Sequence, residues 1–493
     1  MSRACVVSAM AALGLTVLAA ACGHEPSAPP APRPLARLDV YAVDSAVLTG
    51  HSLPLHVAAW NSDGLPITPP AVEWSVVGPA TQGSVDSSGL YQSGVASDVL
   101  VAAVAGRVAD TIMLHVAARG ELKWLLPLEG FGMIGGGPAE GPDGTIYVLS
   151  FVARDTRGRL TAVRPNGTVR WQRDVTGLNY ASYPMVGLDG AIYVASIHSW
   201  AFGPAGETLW HDDVRAPALN EFPGVAQDRA GWLYSSRGGV LRSLDPGTGD
   251  PLWTSAPQGI GLTPPTVSSD GHTIYGYNSG TALVAFDAGT GVARWSAPDA
   301  YAYEWVVGTG PAVAGDRIII PLAFGMMEID SAGSRRALSP DLGRGVSEPA
   351  IGPDGTLYVG AQSLYALNPI TNALWQYRLS PIVLSPNMYG GPALAAGGVL
   401  YTSTNYGFYA FDVAGSASSV RWRYPSDTTQ TLSFAAAPLI GRDGTVYSYS
   451  STLCDCGPAL DALFAFWEDV PAEPNSPWPM WRHDARRSGQ ASR

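Results

Sequence analysis

The stretch "GPDGTIYVLS" (residues 141–150) holds an Asp-Gly turn followed by a run of alternating β-formers. Asp and Gly supply the two conformations a tight hairpin needs, and β-branched and aromatic residues suit the strand that leaves it. Alone it predicts one strand. The same pattern returns as "PAIGPDGTLYVG" (349–360), "PLIGRDGTVYSYS" (438–450) and, more loosely, "PAVAGDRIII" (311–320). Aligning each copy on its proline gives anchors at Tyr147, Tyr193, Tyr234, Tyr275, Ile320, Tyr358, Tyr401 and Tyr447. Successive spacings are 46, 41, 41, 45, 38, 43 and 46 residues. A period in this range means an array of supersecondary units rather than one irregular domain.

Each unit continues in the same order. A second strand follows, as in "LTAVRP", "LVAFDA" or "FYAFDV", then a Gly- or Asn-containing turn. A third strand ends in Trp171, Trp210, Trp253, Trp295, Trp375 or Trp422. With the strand that opens on proline, that makes four short strands per unit, the pattern of a β-propeller blade. Two anomalies cancel. The eighth unit has no tryptophan strand after "LFAFWED", and an orphan one, "ELKWLLPL" around Trp124, precedes the first unit. Pairing the Trp124 strand with the last blade closes an eight-bladed ring and leaves no open edge at the seam. The expected propeller spans residues 119–470, followed by a docking tail at 471–493.

"SLDPGTGDPLW" (243–253) and "AFDAGTGVARW" (285–295) resemble the tryptophan-docking repeat of pyrroloquinoline-quinone-type propellers, and "ALNPITNALW" (366–375) is a looser copy. The resemblance covers about 350 residues and implies the fold more strongly than any chemistry, because these residues shape turns and inter-blade contacts. One branch of that family comprises quinoprotein dehydrogenases, which hold the quinone on the axis with calcium-binding carboxylates, a catalytic Asp and a pair of adjacent cysteines. Here Cys454 and Cys456 are separated by Asp455, and no calcium-binding cluster is evident. The other branch is non-catalytic and includes lipid-anchored outer-membrane assembly factors. The expected function is therefore non-catalytic binding or scaffolding with no cofactor, the alternative being a quinone-dependent dehydrogenase of alcohols or sugars. "DPGTGD" (245–250) has too few ligands for a calcium loop and is expected to be a β-turn.

The N-terminus, "MSRACVVSAMAALGLTVLAAACG", has one basic residue and a short apolar run, an export signal over residues 1–21. "LAAAC" (18–22) resembles the lipobox of bacterial lipoproteins, which implies lipidation of Cys22; an ordinary Ala-x-Ala cleavage site is the other reading. Gly23 implies the outer membrane. Residues 22–35 form a Pro-rich, extended tether. In residues 36–118, alternating runs such as "LPLHVAAW" and "VEWSVV" predict a β-sandwich around Trp74. "VEWSVV" with "VDSSGLYQSG" (85–94) resembles the bacterial Ig-like group 2 domain, a module that mostly serves as a spacer or adhesive stalk.

The chain has 493 residues and a formal charge of −12, and its basic residues are 28 arginines and the single Lys123. That balance offers no footprint for nucleic acid. GxSxG, HExxH and Walker-type motifs are missing. Cys454 and Cys456 are expected to form a loop disulfide, since two cysteines alone do not close a metal site. Loops entering the proline strands bring Tyr180, Tyr183, Tyr301, Tyr303, Trp305 and Tyr389 towards one end of the axis. They form either a recognition surface for an envelope protein or glycan or a set of blade caps. In "SPWPMWRHDARRSG" (476–489), a segment resembling the ends of other propellers of this class, Trp478 and Trp481 are expected to dock beneath the ring. Asp484 is expected to pair with an arginine. The molecule is expected to act as a monomer.

Overall fold

The computed structural model describes residues 33–491 except 130, 133–135, 152–156, 179–181, 197, 213–223, 258–262, 279–281, 299–309, 323, 344–345, 369–373, 378–389, 405, 415–417, 426–431, 435, 451–460, 481 and 485. The chain divides into two compact units between Val116 and Ala117. Among the described residues no helix is long and apolar enough to cross a membrane.

The first unit consists of two antiparallel sheets. One joins Leu35–Ala42, Ser52–Asn61, Leu90–Ser93 and Gly83–Val85, with Pro66–Ile67 paired at its side. The other joins Ala46–Leu48, Val108–Ala117, Ser97–Ala105 and Glu73–Val77. Alternation along Ser97–Ala105 buries Val99, Val101, Ala103 and Ala105. Trp74 packs against clusters drawn from both sheets. Gly89 has a φ of 86°, and a Cβ there would lie 2.9 Å from the Trp74 ring. The Val-Asp-x-x-Gly turn thus exists to let the backbone pass over the tryptophan.

Among its described residues the second unit contains eight antiparallel sheets, seven of four strands and the first of five, all but the eighth built from consecutive strands, and it is a β-propeller. The first sheet holds Ala139–Glu140, Ile146–Phe151, Gly158–Val163 and Val169–Val175, with the short strand Phe131–Gly132 also on Ile146–Phe151. The eighth holds Leu439–Ile440, Val446–Ser450 and Ala462–Phe466, and its outer strand is Leu122–Pro127 from the other end of the unit. Trp124 stands opposite Ala465 in that pairing. The orphan tryptophan strand therefore closes the last sheet, as its position in the sequence predicts.

Within a sheet the anchors form a row. Tyr147 pairs with Ala162 and Ala162 with Trp171, so a small residue lets the two rings meet at 5.8 Å. The Tyr–Ala–Trp row recurs as Tyr193–Ala201–Trp210, Tyr275–Ala285–Trp295, Tyr358–Ala366–Trp375, Tyr401–Ala410–Trp422 and Tyr447–Ala465–Trp124. In the third sheet Ser243 replaces the alanine between Tyr234 and Trp253. The tryptophan then reaches the next sheet. Trp171 Nε1 donates to Pro204 O at 2.9 Å, Trp210 Nε1 to Pro246 O at 2.8 Å and Trp295 Nε1 to Ser331 O at 2.9 Å. Each ring lies over a glycine of that neighbour's turn. A Cβ on Gly206 would sit 2.7 Å from Trp171 and one on Gly333 2.9 Å from Trp295, both at positive φ. "DPGTGD" is indeed a turn, with Asp245 Oδ1 accepting from Gly247 N and Thr248 N at 2.8 and 3.1 Å.

The fifth sheet corrects one assignment. Ala312 pairs with Ile319, not Ile320, because the Gly315-Asp316 hairpin is one residue shorter than those of the first, second, third, sixth, seventh and eighth sheets. A one-residue slip puts a side chain on the opposite face. The row there reads Ile319–Glu328–Ala337, and Glu328 is held by Arg317 at 2.9 Å.

Glu140 bridges the seam between the eighth and first sheets, accepting from Arg442 N at 3.1 Å while only 3% exposed. Gln227 makes the matching bond between the third and second sheets, from Leu188 N at 2.8 Å. Burial pushes the Glu140 carboxyl up to about 7, against the pull of the Arg442 N–H. Because the folded state favours the protonated acid, the stabilisation is present below the ordinary value and is lost as pH rises through about 7.

Glu140→Gln should therefore match the wild type near pH 4 and exceed it at pH 8 by on the order of 1–3 kcal/mol in denaturant melts; an unchanged difference across pH would refute the coupling. In the same melts, Trp171→Phe should cost about 1 kcal/mol for the lost hydrogen bond plus the smaller ring. Gly206→Ala should cost on the order of 1–3 kcal/mol through strain and collision.

Candidate functional site

The inner strands line the propeller axis, where sheet pairing leaves backbone N–H groups facing inward. Such groups must find acceptors if buried. The C-terminal tail supplies them. Ile351 N donates to Trp478 O at 2.8 Å, Leu394 N to Pro479 O at 2.7 Å, Val186 N to Arg486 O at 2.9 Å, Gln227 N to Ser488 O at 3.0 Å and Val267 N to Gly489 O at 2.9 Å. One short segment thus stitches together the second, third, fourth, sixth and seventh sheets.

Its side chains fill the axis. Trp478, Arg482 and Arg487 are all fully buried. The Arg482 guanidinium donates to Pro265 O, to Val225 O at 3.3 Å and to Thr266 Oγ1 at 3.2 Å. That of Arg487 donates to Pro138 O at 2.9 Å and Pro438 O at 3.0 Å, joining the first and eighth sheets. The residue just before each inner-strand proline decides whether a guanidinium fits. A Cβ on Gly310 would lie 2.5 Å from Arg482 Nη1 and one on Gly137 2.8 Å from Arg487 Nη2.

The sixth sheet places Glu348 in that same slot. Its Oε1 accepts from Trp478 Nε1 and from Arg482 N, both at 2.8 Å, and its Oε2 has no hydrogen-bond partner among the described residues. Burial raises the Glu348 carboxyl above the usual range, while the charge of Arg482 opposes the shift. Burial also pushes the Arg487 guanidinium down to about 10. Asp484 pairs with Arg486 at 3.2 Å and caps Ser488 N at 2.9 Å, as expected of an arginine-paired acid in a docked tail.

Tyr183 requires a correction. It occupies the slot before Pro184 in the second sheet, is 3% exposed, and its ring lies 5.9 Å beneath the Arg482 guanidinium. It is a wall of the axial plug rather than a surface contact, because the inner-strand slot points it inward. Tyr180, Tyr301, Tyr303, Trp305, Tyr389, Trp481, Cys22, Cys454 and Cys456 lie outside the described residues. Among the described residues no group of three or more His, Cys, Asp or Glu could hold a metal ion. Glu348 and Arg482 were not singled out from the sequence. The available signal was a charged residue in a slot that carries Gly137, Gly310, Gly391 or Ala437 in four other sheets.

Residues 200–344 match the family described as outer membrane protein assembly factor BamB. No curated protein sequence matches the chain. Among solved structures, BamB from Moraxella catarrhalis is 15% identical over 68% of this chain and 82% of its own, with a TM-score of 0.38. The C-terminal WD40 domain of Sif2 is 11% identical over 71% of this chain and 99% of its own, with a TM-score of 0.50. The computationally designed Ika8 protein is 11% identical over 69% and 98%, with a TM-score of 0.47. The WD40 likeness bears on the fold alone, which is that of a propeller.

Removing the plug's cation should be costly. Arg482→Ala leaves three buried acceptors without their donor and should lower stability by about 3–5 kcal/mol. Arg486→Ala, at a half-buried position, should cost about 1 kcal/mol or less. Equal melting temperatures for the two variants would contradict the axial role of Arg482.

Proposed function

We propose that this chain is a non-catalytic, exported lipoprotein whose eight sheets form the eight blades of a binding or scaffolding platform for an envelope protein or glycan. In this reading the first unit is an Ig-like spacer, Cys22 carries the lipid anchor in the outer membrane, and the molecule works as a monomer. The match of residues 200–344 to an outer membrane protein assembly factor supports both the scaffold role and the location.

The observation that carries the reading is the axial plug. A quinone cofactor of the related dehydrogenases would sit on the axis and needs carboxylates there. At the tail-bearing end Glu348 is already engaged by Trp478 and Arg482, Asp484 is paired with Arg486, and the guanidinium groups of Arg482 and Arg487 are buried there. These residues do not fit a quinone with its calcium ion.

Titration of the mature chain with pyrroloquinoline quinone and calcium, followed by quinone absorbance and dye reduction with alcohols and sugars, is expected to give no binding and no turnover. Tight one-to-one binding with turnover would replace the scaffold reading with the dehydrogenase. Cys22→Ser is expected to shift the protein from the membrane to the soluble fraction; unchanged membrane association would remove the anchor.

A further inference from the structure

The turns joining the first two strands share a pattern in the first, second, sixth and eighth sheets. The residue after the turn glycine is small and buried at Thr145, Ala191, Thr356 and Thr445, which are 2%, 3%, 8% and 1% exposed. In the third sheet that place holds Trp232, 48% exposed. The adjoining turn of the fourth sheet carries an added residue, so that Thr266 pairs with Tyr275 nine positions on, and His272 stands out into solvent. Between these two turns lies a cavity of about 750 Å³. That volume falls within the range of about 300–1,000 Å³ typical of small-molecule sites.

We propose that this cavity binds a neutral saccharide. Trp232 offers an open aromatic face of the kind on which the C–H face of a sugar ring rests. Its turn is pre-organised, because Asp228 Oδ1 accepts from Ala230 N and Trp232 N, both at 2.9 Å, while Oδ2 accepts from Tyr234 Oη at 3.0 Å. Gln490, from the end of the tail, is 5% exposed and lines the cavity. Its Nε2 donates to Ser268 O at 2.8 Å, which fixes the amide and leaves Oε1 with no partner among the described residues. A buried acceptor left uncovered is costly, and a sugar hydroxyl is the donor that would satisfy it. Asp270 adds a carboxylate that accepts hydroxyl donors, and Leu252, 50% exposed, adds apolar surface. The two carboxylates of Asp228 and Asp270 against the single guanidinium of Arg229 disfavour phosphate or polyanionic ligands. This site goes beyond the platform reading and stands without it, since it needs neither the axis nor an envelope partner.

The test is calorimetric titration of the mature chain with a panel of neutral linear oligosaccharides of glucose, N-acetylglucosamine, mannose and galactose, with heparin as the anionic counterpart. Tryptophan fluorescence is recorded in parallel. At least one neutral oligosaccharide is expected to bind with a dissociation constant below about 1 mM, a free energy near −4 kcal/mol, and to change the Trp232 emission. Trp232→Ala should weaken it at least about tenfold, one aromatic contact being worth that much. Gly289 has ordinary φ, and a Cβ there meets only Asp287 Oδ1 at 3.5 Å. Gly289→Phe should therefore fill the cavity without unfolding the sheet and abolish binding, with its melting temperature as the check. The proposal is overturned if no neutral oligosaccharide binds, if heparin binds instead, or if both folded variants bind as the wild type does.

Discussion

A tryptophan ring of one sheet lying over a left-handed glycine of the next is the contact from which the propeller is assembled. The glycine is required twice over, since its φ excludes other residues and the indole excludes a Cβ. The indole N–H then binds a carbonyl of the same turn, which fixes the direction in which the next sheet must lie. Repeated from Trp124 through Trp295, this contact carries the twist of each sheet into the next. The Tyr–Ala–Trp row within a sheet aims the indole, because only a small residue between the two rings lets them pack together. Where the fifth sheet lacks the row, Arg317 and Glu328 hold the strands instead.

The ring so formed has an inner wall of unpaired backbone donors, and the tail answers that deficit. Its carbonyls accept from five inner strands, Arg482 adds bonds to the third and fourth sheets, and Arg487 reaches carbonyls of the first and eighth. Arg482, His483 and Arg487 all have positive φ, uncommon for such residues and tolerated because their surroundings hold them there. The same tail passes beside the third and fourth sheets, where Gln490 lines the cavity between their turns. The segment that closes the axis thus also shapes the wall of a candidate ligand site.

Much of the fold was legible because it is periodic. The turn signals, the tyrosine anchors and the tryptophan strands recur within a few residues of a common spacing, and the misplaced Trp124 strand could be assigned by elimination. The slip from Ile320 to Ile319 shows the limit. Hairpin length changes by one residue without a composition signal, and a strand reports that change only when its partner is seen. The site was less legible. The loop pattern of Tyr183 allows either a recognition surface or a blade cap, and only the fold turns it towards the axis. Its burial depends on Arg482, some 300 residues away in the chain.

Residue pattern alone predicts the repeat, the four-stranded unit and the pairing of the Trp124 strand with the last sheet, because each is a match of side-chain period to backbone geometry. It also marks Trp478 and Asp484 as parts of a docked tail. Only the folded chain decides what that tail does. The convergence of Glu348, Tyr183, Arg482 and Arg487 on the axis, and of Trp232 with Gln490 beside one cavity, joins residues distant in sequence. Such meetings are fixed by the closure of the ring in space, and no periodicity in the chain encodes them.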